Sequence, residues 1–121
     1  MDLLRNGRPR VVITGMGAVT ALGNVREMWD NLKRGQSGIR NIETIDASHC
    51  GVKIGAEVRG FTGSQYVEHK EARRMGRSSL MAVEAAGAAV EDAGLTSGQI
   101  ELEGERSGTV VGTSLGPHEV A

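Results

Sequence analysis

Two constellations in this chain have residue types and spacing that could do chemistry: a glycine-rich turn, and a cysteine with a histidine beside it. The turn is Thr14-Gly15-Met16-Gly17, with another glycine at Gly23. It follows the apolar run Val11-Val12-Ile13 and leads into a helix start. That is the pattern of a buried strand, a turn too tight for side chains and a helix, at the edge of an α/β crevice. A turn of this kind can cradle a dinucleotide phosphate, but the spacing argues against it here. A G-x-G-x-x-G fingerprint starting at Gly15 needs glycine or alanine where Thr20 stands. The T-G-x-x-x-G-x-G variant needs glycines where Val19 and Ala21 stand.

Cys50 follows His49 directly. A cysteine–histidine pair works when the fold brings the two side chains together, and sequence neighbours generally point apart. Cys50 is therefore expected to be an ordinary loop residue. His49, His69 and His118 have no metal-ligand spacing and no carboxylate or cysteine partners at ligand positions, so they read as surface histidines and no metal site is expected. Lys70, Arg73, Arg74 and Arg77 put four cations on one short segment. A solvated helix face explains them, and so does a basic surface for an acidic partner.

Positioning these residues falls to a small α/β frame. Pro9 closes a polar lead-in over residues 1–9. A first strand is expected at 10–14. Asn24-Val25-Arg26-Glu27 has the capping-box pattern, in which Asn24 accepts from the Glu27 amide and Glu27 reaches back. Val25, Met28, Trp29 and Leu32 then make the apolar stripe of a helix ending near Arg34, with Gly35 as its C-terminal cap. Val52, Ile54, Ala56 and Val58 alternate as a second strand, with Lys53 and Glu57 on its other face. A charged helical segment is expected at 67–75 and a long helix at 78–93. On that helix Leu80, Val83, Gly87 and Val90 form a stripe that alanines widen, leaving Glu84, Glu91 and Asp92 to stay wet. Gly94-Leu95 stops it. Residues 108–112 read as a third strand.

Composition excludes several classes. The 121 residues carry a net charge of −1, with one Trp, one Tyr and one Phe, so nothing marks a nucleic-acid surface. No stretch approaches the ~20 apolar residues of a membrane span. The start has no signal-peptide character, and the single cysteine excludes an internal disulfide framework. A cytoplasmic location fits these features. The 18 glycines are about twice the usual ~7% share and suit closely layered helices and strands.

Four blocks, in order, carry a family likeness: RVVITGMGAVTALGN (10–24), WDNLKRGQSGI (29–39), KEARRM with AVEAAGAAVEDAGL (70–95), and GTVVGTSLG (108–116). The chain resembles the N-terminal part of the β-ketoacyl-[acyl carrier protein] synthases, particularly the elongating type II condensing enzymes. Type II polyketide ketosynthases and their chain-length factors share the same blocks. The resemblance implies an α/β fold class, specifically the N-terminal part of a thiolase-like fold, layered α/β with a mixed sheet. Residues 1–9 would be a lead-in, and 10–121 an incomplete synthase domain. It also implies decarboxylative condensation of acyl and malonyl groups on acyl carrier protein, a homodimer, and no cofactor, nucleic acid or membrane.

The family's nucleophile lies in a T-A-C-S-like turn downstream of the GTSLG block, and its histidines lie in the second half. Neither matches a residue of this chain, so no catalytic residue is assigned here and the polypeptide alone is expected to be inactive. Leu115 matches the family's apolar residue that borders the acyl pocket, with packing at a strand end as the other explanation. In such an enzyme an acidic carrier protein docks on a basic surface, which is a second explanation for the cationic segment at 70–77 beside a solvated helix face.

Overall fold

The computed structural model describes residues 4–5, 7–96, 98–99 and 104–113. In chain order the elements are β1 (Leu4–Arg5), β2 (Arg8–Pro9), α1 (Val25–Lys33), β3 (Ile39–Asn41), β4 (Ile54–Ala56), α2 (His69–Ala72), α3 (Arg77–Asp92) and a 3-10 turn at Gly104–Arg106. The strands form two antiparallel pairs, β1 with β2 and β3 with β4. In the first, Leu4 faces Pro9 and Arg5 faces Arg8, with Gly7 at φ 72°. Tight hairpin turns need positive φ, which glycine adopts without steric cost. The lead-in at 1–9 thus contains a small hairpin.

Both longer helices end where local chemistry dictates, and α1 also begins there. The Asn24 carboxamide accepts from the amides of Arg26 and Glu27, each at 3.1 Å, and the Glu27 carboxylate accepts from the Asn24 amide at 2.9 Å. The expected capping box is complete. At the other end Gly35 takes φ 68°, its amide reaches the Leu32 carbonyl, and the Gln36 amide reaches the Asn31 carbonyl. Helix α3 closes in the same way. Gly94 has φ 66° and bonds to the Glu91 carbonyl, while the Leu95 amide bonds to the Val90 carbonyl. These paired bonds are the Schellman arrangement, which satisfies carbonyls the helix would otherwise leave open.

Helix α3 organises what lies around it. Tyr66 sits on Gly87, where a Cβ would overlap the ring. The glycine inside the expected apolar stripe is therefore a notch for the chain's one tyrosine. Glu84, expected to stay wet, instead accepts from the Ser64 hydroxyl at 2.8 Å and the Gln65 amide at 3.0 Å. It pins the approach to α2 onto α3.

The expected strands are corrected in three places. Residues 10–14 and 108–112 form no ladder among the described residues. Val11, Val12 and Ile13 are 94%, 61% and 83% exposed, and Val110 and Val111 are 101% and 75% exposed. An apolar run supplies strand propensity, but a ladder also needs a neighbour to exchange hydrogen bonds with. The alternating run 52–58 is a strand only at Ile54–Ala56, the length that pairs with Ile39–Asn41.

Among the described residues, Ala47 is the one that is buried, at 8% exposure. The 12.8 kDa chain presents 10399 Å² to solvent. A compact monomer of that mass presents about 6,300 Å². Uncovered apolar segments of this kind favour association between chains. In sedimentation velocity the purified chain is expected to associate progressively as concentration rises. A monodisperse monomer with a sharp cooperative thermal transition would contradict that expectation.

Candidate functional site

The glycine-rich turn reaches its place by lying directly on a helix backbone. A Cβ on Gly17 would overlap the Ala85 carbonyl, and one on Gly15 would overlap the Ala89 carbonyl. Glycine is required here because no side chain fits between the turn and α3, and the facing helix residues are alanines for the same reason. Between the two glycines, the Met16 amide donates to the Asp92 carboxylate at 2.9 Å. An acid in the last turn of a helix opposes the helix dipole. Asp92 offsets that by fixing a turn 76 residues away in sequence. Its unfavourable position in α3 was the one sequence signal that could have singled it out.

The rest of the turn is tied to α1. Thr20 and Gly23 exchange backbone hydrogen bonds at 3.1 and 3.0 Å, and the Thr20 hydroxyl donates to the Gly23 carbonyl at 2.7 Å. The Asn31 carboxamide, two turns into α1, donates to the Leu22 carbonyl at 3.0 Å. Gly23 has φ 104°, and a Cβ there would meet the Glu27 side chain. Together these contacts leave an open cleft of about 1060 Å³ between the turn, the start of α1 and the end of α3. Met16, Gly17, Val25 and Ala88 give it an apolar lining, while Trp29, Glu91 and Asp92 also border it.

The cleft is poorly made for a phosphate. Asn24 already takes the Arg26 and Glu27 amides that would face an anion, and the Glu27 carboxylate lies over the same helix end. Gly15 and Gly17 approach α3 rather than a ligand. The mismatch in glycine spacing thus has a structural counterpart: these glycines serve helix contact.

The remaining sequence candidates are dispersed. Cys50 and His49 are exposed in the loop between β3 and β4, where the Cys50 amide donates to the Ala47 carbonyl at 3.0 Å. His69 opens α2 and is exposed. Leu115 and His118 lie outside the described residues. The cationic segment divides in two. Lys70, Arg73 and Arg74 are exposed around α2. Arg77, by contrast, donates to the Phe61 and Val58 carbonyls, both at 2.7 Å, and lies 5.4 Å from the Phe61 ring centre. Arg77 is a strap across the 58–61 segment, which its place in a charge run did not indicate.

The family described as "Beta-ketoacyl synthase, N-terminal domain" matches residues 8–120. The chain belongs to the β-ketoacyl synthase family. Among its relatives are the 3-oxoacyl-[acyl-carrier-protein] synthase 2 of Synechocystis, 39% identical over 90% of this chain, and that of Staphylococcus aureus strain COL, 40% identical over 91%. The chain spans 26% of the length of each. Two solved structures resemble this ketosynthase chain over 73% of its residues and 22% of their own. The ishigamide ketosynthase/chain length factor has a TM-score of 0.65 at 37% identity, and a β-ketoacyl synthase from Burkholderia phymatum has 0.60 at 38%. The turn, its helix seam and the cationic segment therefore belong to the ketosynthase N-terminal domain. No helix among the described residues is long and apolar enough to cross a membrane.

Replacing Gly17 with alanine should lower stability by about 1–3 kcal/mol, the usual cost of forcing a methyl into a closed contact. Asp92→Ala should cost on the order of 1 kcal/mol, and Asp92→Asn less, since its amide oxygen can still accept from Met16. Amide hydrogen exchange at Met16 in the three variants checks this. Equal protection in Asp92→Ala and the parent would show that the Met16 contact contributes nothing.

Proposed function

We propose that this chain is the N-terminal part of a 3-oxoacyl-[acyl carrier protein] synthase that elongates acyl chains in fatty-acid biosynthesis. The observation that carries the reading is the 39–40% identity to two synthases of that name across nine-tenths of the chain. In the proposed reaction an acyl group passes from its carrier thioester to a cysteine thiolate. Malonyl-carrier protein then loses carbon dioxide, and the resulting carbanion attacks the acyl thioester, forming the new carbon–carbon bond and releasing the cysteine thiolate. In this reading the cysteine and the assisting histidines come from the family's downstream blocks, and this chain contributes scaffold rather than a catalytic residue. The layered thiolase-like architecture, a homodimer and a cytoplasmic location belong to the same proposal. So does the division into a lead-in at 1–9 and a synthase domain from 10 onward.

Within that reading, Lys70, Arg73 and Arg74 form the basic surface for an acidic acyl carrier protein, with Arg77 committed to the 58–61 strap. Leu115 borders the acyl pocket. A second reading, a polyketide ketosynthase or a non-catalytic chain-length-factor-like partner, is favoured by the likeness to the ishigamide ketosynthase/chain length factor. The deciding experiment is condensation of acyl- and malonyl-carrier protein, measured with the chain alone and with the complete reading frame that contains it. Product from the complete protein and none from the chain supports the proposal. Activity of the chain alone refutes the assignment of the chemistry elsewhere, and a complete protein inactive without a partner favours the second reading.

Two variants of the complete protein refine it. Charge reversal at Lys70, Arg73 and Arg74 should raise KM for carrier protein on the order of tenfold and leave kcat nearly unchanged, because exposed charges act mainly on encounter. Leu115→Phe should shorten the accepted acyl chain while short-chain turnover is largely kept. Pocket contacts discriminate one methylene by only about 1–3 kcal/mol, but a ring across a tunnel blocks it sterically. An unchanged chain-length profile would make Leu115 a packing residue.

A further inference from the structure

Outside the glycine-turn site, the densest polar arrangement lies at the base of the 42–53 loop. The Ile42 amide donates to the Lys53 carbonyl at 3.0 Å and closes the neck. One step further out, the Glu57 carboxylate accepts from the Glu43 amide at 3.0 Å, the Thr44 amide at 3.0 Å and the Thr44 hydroxyl. The Arg59 guanidinium joins the carboxylate at 3.2 Å. It also donates to the Asn41 carbonyl at 2.8 Å and pairs with Glu43 at 3.1 Å. The Glu57 side chain is only 12% exposed, against 68% for Glu43, so the carboxylate is enclosed by these partners.

The far end of the loop has its own order. The Asp46 carboxylate accepts from the Ser48 amide at 2.9 Å, the Cys50 amide reaches the Ala47 carbonyl, and Ala47 is buried.

We propose that Glu57 is a latch that fastens Glu43 and Thr44, the first residues of the loop beyond its neck, to the end of β4. Three features make this more than a surface ion pair. Two of the donors are backbone amides, so the bond fixes the main chain rather than a flexible side chain. The carboxylate bridges 13 and 14 residues of sequence, adding a tie to a loop whose ends the β3–β4 ladder and the Ile42 amide already join. The contacts also lie within one hairpin and need no further strand to form.

The charged groups against the latch are Arg59 and, through it, Glu43. The Thr44 hydroxyl, the Thr44 and Glu43 amides and Arg59 hold the Glu57 carboxyl down to about 2. Because the folded value is depressed, the latch contributes fully above the ordinary carboxylate range. It is lost as pH falls toward that lower value.

Amide hydrogen exchange in the 121-residue chain tests the latch, read at Glu43 and Thr44, with Leu95 at the end of α3 as the internal reference. Glu57→Ala should speed exchange at both amides on the order of tenfold or more and leave Leu95 unchanged. Glu57→Gln, which keeps one acceptor oxygen, should fall between. In the parent chain, protection at the two amides should persist at about pH 4 and disappear near pH 2. The latch is overturned if the parent shows no protection at these amides, or if Glu57→Ala leaves it intact. It is also overturned if protection is already lost in the ordinary carboxylate range, or if Leu95 loses protection to the same extent. That last result would make Glu57 a support of the whole fold.

Discussion

The contact on which this structure turns is the seat of Gly15 and Gly17 on the backbone of α3. A helix backbone and a turn can come this close only if neither carries bulk. One constraint therefore accounts for two glycines at one place in the sequence and for Ala85, Ala89 and Ala93 some seventy residues later. The seat also sets a direction. With Met16 held by Asp92, the chain before it leaves as an extended apolar segment, and the chain after it turns through Thr20 and Gly23 into the cap of α1. The cleft beside the turn follows from this path, as does its lack of free amides for an anion.

The same frame explains the uneven cover of the molecule. Helix ends, loop bases and the tyrosine notch are closed by contacts the chain makes with itself. The apolar runs Val11–Ile13 and Val110–Val111 remain open along their edges. The chain spans 26% of the length of each of the two synthases it resembles.

What could be read from the sequence divides along the same line. Capping at Asn24–Glu27, the stops at Gly35 and Gly94, and the extent of α3 depend on residues within one or two turns of each other, and the structure has them nearly as read. Residues 10–14 and 108–112 were legible as apolar runs but not as ladders, because a ladder depends on a neighbour that no local pattern names. The hairpin at Leu4–Pro9 carried its Asn-Gly signal and was read as a plain lead-in. Asp92, Glu84, Arg77 and Glu57 looked like surface charge in every local pattern. Each reaches backbone groups between about 13 and 76 residues away, a relation that periodicity cannot express. Of the candidate site, the glycines were legible as a tight turn, and their partner helix was not. Leu115 lies outside the described residues, so its role rests on the family blocks.

The central claim is that a small-residue seam and one carboxylate hold the glycine turn, while Val11, Val12 and Ile13 leading into it form no ladder among the described residues. Backbone exchange across residues 11–16 tests this most directly, measured on the chain at a concentration where it is monomeric. The account predicts fast exchange at Val11, Val12 and Ile13 beside a protected amide at Met16. Uniform protection from Val11 to Ile13 would contradict it, because those amides would then already have found a ladder within the chain.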